Sequence, residues 1–158
     1  MTTDQAVLRT DGGARGNPGP AGAGFVLEDA SGARLSSGGR YLGETTNNVA
    51  EYEALIWGLE VADSMGVRRL RVLCDSELVV RQINGVYRVK HENLKPLFAR
   101  TRSLLERFGS WEVVHVRREQ NVAADALVNE AIDLRGDVGD AVAQDPALRA
   151  TQPSLFED

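Results

Sequence analysis

Cysteine is nearly missing from this chain. Cys74 stands alone among 158 residues, so no internal disulfide can form and no cysteine spacing for zinc exists. No apolar run is long enough to span a bilayer. The start, Met1-Thr2-Thr3-Asp4-Gln5, has neither the basic nor the apolar stretch of a secretory leader. These absences fit a reducing compartment, and the expected location is cytoplasmic. Lysine is scarce as well: only Lys90 and Lys95 occur, and arginine carries nearly all the positive charge. There is no internal repeat.

An excess of positive charge is also lacking, since the formal net charge is −5. That balance argues at first against a polyanionic ligand, but its distribution does not. From Gly66 to Arg118 there are 12 Lys+Arg against 5 Asp+Glu, whereas the remainder has 6 against 18. A basic middle between acidic flanks is able to follow a phosphate backbone, because local charge sets such a contact. Charge alone is explained as well by a solvated surface in which the signs mix after folding.

What is present is the make-up of one globular domain, with 42% hydrophobic and 26% charged residues. Ala6–Asp11 reads as a strand running into the glycine-rich turn Gly12–Pro20. A second strand is expected near Gly22–Glu28, and after Asp29-Ala30-Ser31-Gly32 a third to about Leu42. Thr46-Asn47-Asn48 caps a helix to about Met65. Arg69–Cys74 is a strand, and Ser76 caps a short helix to about Asn84. Glu92–Phe108 is a helix with Pro96 near its first turn, Trp111–Arg117 a fifth strand, and Asn121–Leu134 a closing helix. The pattern implies a mixed α/β sheet of five strands, three of them antiparallel hairpin strands, flanked by helices. The domain is expected to span residues 1–135, with a flexible tail over 136–158.

The strongest chemical signal is where four acids fall. Glu51 shares a helix face with Ala54, Leu55, Gly58, Val61 and Ala62, and Asp125 aligns with Val128, Ala131 and Ile132. Asp11 and Asp75 each end a strand. An acid at the edge of a buried face is costly without a partner. Two carboxylates about 4 Å apart repel by about 4 kcal/mol at an effective dielectric near 20. A divalent cation would resolve that repulsion if the four met in space, and Mg²⁺ prefers oxygen ligands. The glycine-rich turn lacks the Gly-Lys-Ser/Thr ending of a nucleotide-binding loop. Gly22-Ala23-Gly24 lacks the third glycine of a dinucleotide site.

Four stretches together carry a resemblance. They are Thr10–Pro20, Thr45–Glu51, Cys74-Asp75-Ser76 and Asn121–Asp125, in that order. The chain from Ala6 to Leu134 resembles the type 1 ribonuclease H family, in a compact form without the basic handle. The resemblance implies a ribonuclease H-like fold and endonucleolytic hydrolysis of the RNA strand of RNA/DNA hybrids. It implies that Asp11, Glu51, Asp75 and Asp125 are the catalytic, metal-holding acids of a two-ion mechanism using Mg²⁺, with Mn²⁺ as a substitute. The products would carry 3′-hydroxyl and 5′-phosphate ends. Gly12, Gly13, Ala14, Asn17, Thr46, Asn47, Glu77 and Arg118 are the implied substrate contacts. Reading the 2′-hydroxyl would separate RNA from DNA. Double-stranded RNA stays open as a further substrate, and primer and R-loop removal is the biological role suggested.

Two features of many family members are missing. Between the fifth strand and the closing helix there is no histidine-bearing loop; His115 falls in the strand pattern, and Arg118 is the expected substitute. The basic handle is absent too, so Arg81, Arg88, Lys90 and Lys95, with Tyr87, are left to grip the substrate. Trp57, Trp111 and Tyr52 are assigned to core packing. Finally, Gln152-Pro153-Ser154-Leu155-Phe156 is similar to the sliding-clamp-binding peptides of bacterial replication proteins. Gln152, Leu155 and Phe156 would be its anchors, opposed by the plainer reading of a frayed tail. The rivals are a DNA-cutting nuclease of the same fold and a non-catalytic hybrid-binding module. The motif spacing argues against the first and the four acids against the second.

Overall fold

In the computed structural model, residues 4–141 are described. Along β1 (Gln5–Ala14), Ala6, Leu8 and Thr10 are buried while Val7 and Arg9 are half-exposed, the two-residue period of a strand with one face in the core. β2 (Gly19–Asp29) differs, because every residue from Ala21 to Leu27 is buried. It is covered on both faces. On one, Phe25 meets Trp57 of α1 (Asn47–Ser64) edge-on, with ring centroids 4.8 Å apart. On the other lies α4 (Val122–Leu134), so close that a Cβ on Gly24 would stand 2.8 Å from the Ala124 carbonyl oxygen. Only glycine permits that approach.

β3 (Arg34–Thr45) completes the antiparallel hairpin series. β4 (Arg69–Cys74) then crosses back to pair parallel with β1, and β5 (Ser110–His115) pairs parallel with β4. The sheet order is β3-β2-β1-β4-β5. α2 (Glu77–Ile83) and α3 (Lys95–Leu105) fill the crossover between β4 and β5. A single 3-10 turn, Arg118–Gln120, links β5 to α4. The expected mixed five-stranded α/β sheet is therefore the one observed. One register decides the function that follows: Thr10 and Cys74 are the last couple of the β1–β4 ladder. Asp11 and Asp75 thus leave the same edge of the sheet side by side.

Capping follows the sequence. Thr46 Oγ1 accepts from Val49 N (3.3 Å) at the start of α1, and Ser76 Oγ accepts from Val79 N (3.3 Å) at the start of α2. Of the expected face of α1, Glu51, Ala54, Leu55, Gly58 and Ala62 are buried and Val61 is half-buried. Tyr52, Trp57 and Leu59 are buried as well: Trp57 lies against Phe25, Tyr52 donates to Gln82 Oε1 of α2 (2.7 Å), and α3 also packs on this helix. That makes α1 a central element.

Several boundaries differ from expectation. β1 runs past Asp11 to Ala14 and β2 starts at Gly19, so both ends of the expected glycine-rich turn are strand, and β5 stops at His115, short of Arg117. β2 and β3 are longer, running to Asp29 and Thr45 through two register shifts. α3 begins at Lys95, not Glu92, since Pro96 occupies its first turn. The packed region also extends beyond residue 135. Val138 exchanges backbone hydrogen bonds with Gly39 of β3 (2.9 and 2.8 Å), Asp140 Oδ1 accepts from Ser37 N (2.7 Å), and Ala141 is buried. The glycines at 136 and 139 resemble a tail in sequence, yet Gly139, at φ +92°, lies so close to β3 that a Cβ would stand 2.7 Å from Gly38 Cα.

Candidate active site

The four acids expected to act together line one cavity of about 370 Å³. Asp11 comes from the edge of β1, Asp75 from the end of β4, Glu51 from the first turns of α1 and Asp125 from the first turn of α4. Asp11 and Glu51 are each only 5% exposed, while Asp75 and Asp125 are half-buried. The approach of α1 depends on Gly12, where a Cβ would lie 2.2 Å from the Ala50 carbonyl oxygen. That closeness brings Glu51 to β1, where its Oε1 accepts from Gly12 N. Its Oε2 accepts from Cys74 Sγ at 3.4 Å.

The ion pairs seen among the described residues include neither Asp11 nor Glu51. Burial, then the charges of Glu51 and Asp75, push the Asp11 carboxyl far above its ordinary value. Burial, then Asp75, raises Glu51. Asp75 is raised by burial, tempered by its hydrogen bond from Asp11 and by the Arg118 guanidinium. With nothing else to neutralise it, the cluster of Asp11, Glu51 and Asp75 therefore favours holding a proton. Burial also raises the Cys74 thiol, which stays protonated as the donor to Glu51. Ligand atoms of Glu51, Asp75 and Cys74 lie within 4.8 Å of one another, a group able to hold a metal ion. The hard carboxylate oxygens suit Mg²⁺ better than the thiol does.

Gly12, Gly13, Ala14, Asn47 and Arg118 line the same cavity, as the sequence reading expected. Asn17 and Asn47 staple the β1–β2 turn to α1: Asn47 N donates to Asn17 Oδ1 (3.0 Å), and Ala14 N to Asn47 Oδ1 (2.8 Å). Thr46 and Glu77 are not in the cavity wall; Thr46 caps α1, and Glu77 pairs with Arg81 at 2.9 Å. Arg15, Asn48, Ser76 and Asn129 line the wall without having been singled out. Asn129 was findable, since it lies one turn after Asp125 on the same helix face. His115 is exposed at the end of β5 and does not line the cavity. Trp57 and Tyr52 are core residues, and Trp111 packs beside the core under Arg102. Gln152, Leu155 and Phe156 lie outside the described residues.

Residues 9–131 match the reverse transcriptase-like family model. Ribonuclease HI of Halobacterium salinarum is 44% identical over 123 residues, 78% of this chain and 62% of that protein. This chain belongs to the type 1 ribonuclease H family. A further relative, the bifunctional protein Rv2228c of Mycobacterium tuberculosis, is 40% identical over 149 residues. That match takes in 94% of this chain and 41% of the relative, so the chain spans 62% and 41% of the length of these two curated relatives. Among solved structures, LC11-RNase H1 in complex with an RNA/DNA hybrid superposes with a TM-score of 0.79 at 49% identity. It covers 82% of this chain and 98% of that one. No helix among the described residues is long and apolar enough to cross a membrane.

Proposed function

We propose that this chain is an endonuclease that hydrolyses the RNA strand of RNA/DNA hybrids, leaving 3′-hydroxyl and 5′-phosphate ends. The observation that carries the reading is the meeting of Asp11, Glu51, Asp75 and Asp125 around one open cavity, where four acids face two arginines, Arg15 and Arg118. The four acids form an oxygen donor set that fits Mg²⁺, with Mn²⁺ as a substitute. Two ions held by these acids would supply an activated water and stabilise the leaving oxygen. Asp11 touches both Glu51 and Asp75, which suits it to bridge two cation positions.

The surrounding residues suit a hybrid. Asn17 and Asn47 each have Oδ1 taken by a backbone N–H, so both side-chain amides are left to donate toward minor-groove acceptors. The backbone of Gly12, Gly13 and Ala14 forms cavity wall where a ribose would lie. Glu77, exposed at the start of α2, would accept from a 2′-hydroxyl. Thr46 uses its hydroxyl oxygen as acceptor in the cap and keeps its proton for a DNA phosphate. Arg118 lies close enough to Asp75 to favour its charged form, and it takes the place of the loop histidine in helping product leave. A second cavity of about 400 Å³ shares Asn48 with the first and is walled by Tyr87, Arg88 and Lys90. With Arg81 stacked over Tyr87 at 5.4 Å, it stands in for the missing handle and follows the DNA strand.

Cleavage of end-labelled RNA/DNA, RNA/RNA and DNA/DNA duplexes with Mg²⁺, Mn²⁺ or EDTA, beside Asp75→Asn, tests this. Metal-dependent loss of the hybrid's RNA strand, absent in the variant, is expected. Cutting of RNA/RNA would add double-stranded RNA to the substrates, and hybrid binding without any cutting would overturn the assignment. Primer and R-loop removal is the role that fits, with Gln152, Leu155 and Phe156 tethering the enzyme to a bacterial sliding clamp. Deleting residues 152–158 should then abolish clamp binding and spare hydrolysis.

A further inference from the structure

Asn121 stands immediately before α4 and is completely buried. Asparagine at a helix start ordinarily turns its side-chain oxygen onto an N–H of the first turn, worth about 1 kcal/mol. Here it does not: the side chain makes no capping bond. Instead Nδ2 reaches across the chain and donates to the Thr10 carbonyl oxygen at 2.7 Å. That carbonyl belongs to the peptide group joining Thr10 to Asp11. In the other direction, the Asn121 carbonyl accepts from Asp125 N at 3.1 Å. One residue therefore ties the backbone of Asp11 to the backbone of Asp125.

The tie is kept against local stability. Among the described residues, the buried side-chain atoms found without a partner are Thr10 Oγ1 and Asn121 Oδ1, which belong to the two residues this bond joins. An unsatisfied buried acceptor is destabilising, because it has given up its water without a replacement partner. A leucine of similar size would remove one of the two and fill the space. A second hold on the same loop comes from outside, where Arg9 donates to the Gln120 carbonyl at 3.0 Å.

We propose that Asn121 is a positioning residue, latching the start of α4 to β1 so that Asp125 is presented to the same cations as Asp11. The proposal rests on the reading of Asp125 as a metal-holding acid. Residues that orient a metal's ligands typically change metal affinity by 10–100-fold when replaced. The latch holds Asp125 without touching substrate, so its loss acts on the metal and not on the hybrid.

The test uses the full chain as wild type, Asn121→Leu, Asn121→Ala, Asp125→Asn and the Asn121→Leu/Asp125→Asn double variant. Mn²⁺ binding is followed by calorimetry without substrate, and KM and kcat are taken with hybrid at saturating metal. Expected are a roughly 10-fold loss of Mn²⁺ affinity in Asn121→Leu, an unchanged KM, and no further loss when the change is added to Asp125→Asn. Asn121→Ala, which removes the donor without adding bulk, gives the same ordering should the leucine variant fold poorly. Unchanged Mn²⁺ affinity in both Asn121 variants, beside a loss in Asp125→Asn, overturns the latch and leaves the metal reading intact. An equal loss from Asn121→Leu in both backgrounds also overturns it, because the residue would then act apart from Asp125. Unchanged affinity in Asp125→Asn overturns the metal role of that acid and the latch with it.

Discussion

Two ends of one sheet face treat acids in opposite ways. Toward the start of β1 and β4, each acid has an arginine: Glu28 with Arg9 at 2.9 Å, and Glu112 with Arg71. The register puts Arg71 opposite both Val7 and Glu112, so these pairs share the face of β1 on which Asp11 lies two residues beyond Arg9. At the far end of that face acids outnumber arginines, four against Arg15 and Arg118 in the cavity wall. Asp11 is surrounded by Glu51 and Asp75, more deeply buried than either paired acid. Where only structure is at stake, this chain neutralises its carboxylates; at the cavity it gathers them. Unpaired charge is thus local and purposeful, and the comparison can be broken by experiment.

The largest effect should come from Asp75→Asn. Hydrolysis of a hybrid should fall by at least about 10³-fold, since the lost charge stabilisation amounts to several kcal/mol. The same change should leave the metal-free Tm equal or higher, because it relieves repulsion on Asp11. A drop in both would mean Asp75 is a structural acid like Glu28. Next comes Gly12→Ala, whose Cβ meets the Ala50 carbonyl at 2.2 Å. Displacing α1 should lower stability by roughly 2–4 kcal/mol in a denaturant titration, and retained stability would show that α1 can yield there.

A smaller effect concerns pH. Asp11 and Glu51 have folded values raised above the ordinary 3.8 and 4.5, so the folded chain holds protons that the unfolded chain releases. In the metal-free protein, stability should be greatest at acid pH and fall as pH rises above about 4.5 through neutrality. A thermal melt in EDTA should show Tm higher at pH 5.5 than at pH 8 by a few degrees, and Mg²⁺ should shrink that gap. A flat profile would mean the cluster is better solvated than its burial indicates. The smallest effect belongs to Glu112→Gln, an exposed pair, which should change stability by no more than about 1 kcal/mol and activity not at all.

The placement of Glu51 and Asp125 was legible in sequence because helical period alone puts each on an apolar face. Asp75 was legible as a strand end, whereas Asp11, read the same way, lies inside β1, which runs on to Ala14. Their adjacency was not legible, since it depends on β4 returning to pair beside β1, a long-range choice that no local pattern encodes. The double burial of α1 escaped for a related reason: α3 covers it, and amphipathicity measured along one helix does not reveal a second neighbour. Asn121 sat in plain view within the Asn121–Asp125 motif, but its side chain forsakes the usual cap for a partner 111 positions away. Residues 138–141 were read as tail because Gly136 and Gly139 flank a stretch with little apolar content, and a single backbone bridge leaves almost no trace in composition.

That bridge has a consequence for how the molecule meets its own copies. β3 lies at the margin of the sheet, and an uncovered margin is a template for strand addition by another chain. Val138 occupies the hydrogen-bonding groups of Gly39, and Asp140 takes the Ser37 amide. The final described residues thus work as a selvage, finishing the woven edge so that it does not ravel into a neighbour. A chain cut after Leu134 would bare that border, and the nearest complementary thread would be the same border of a second molecule.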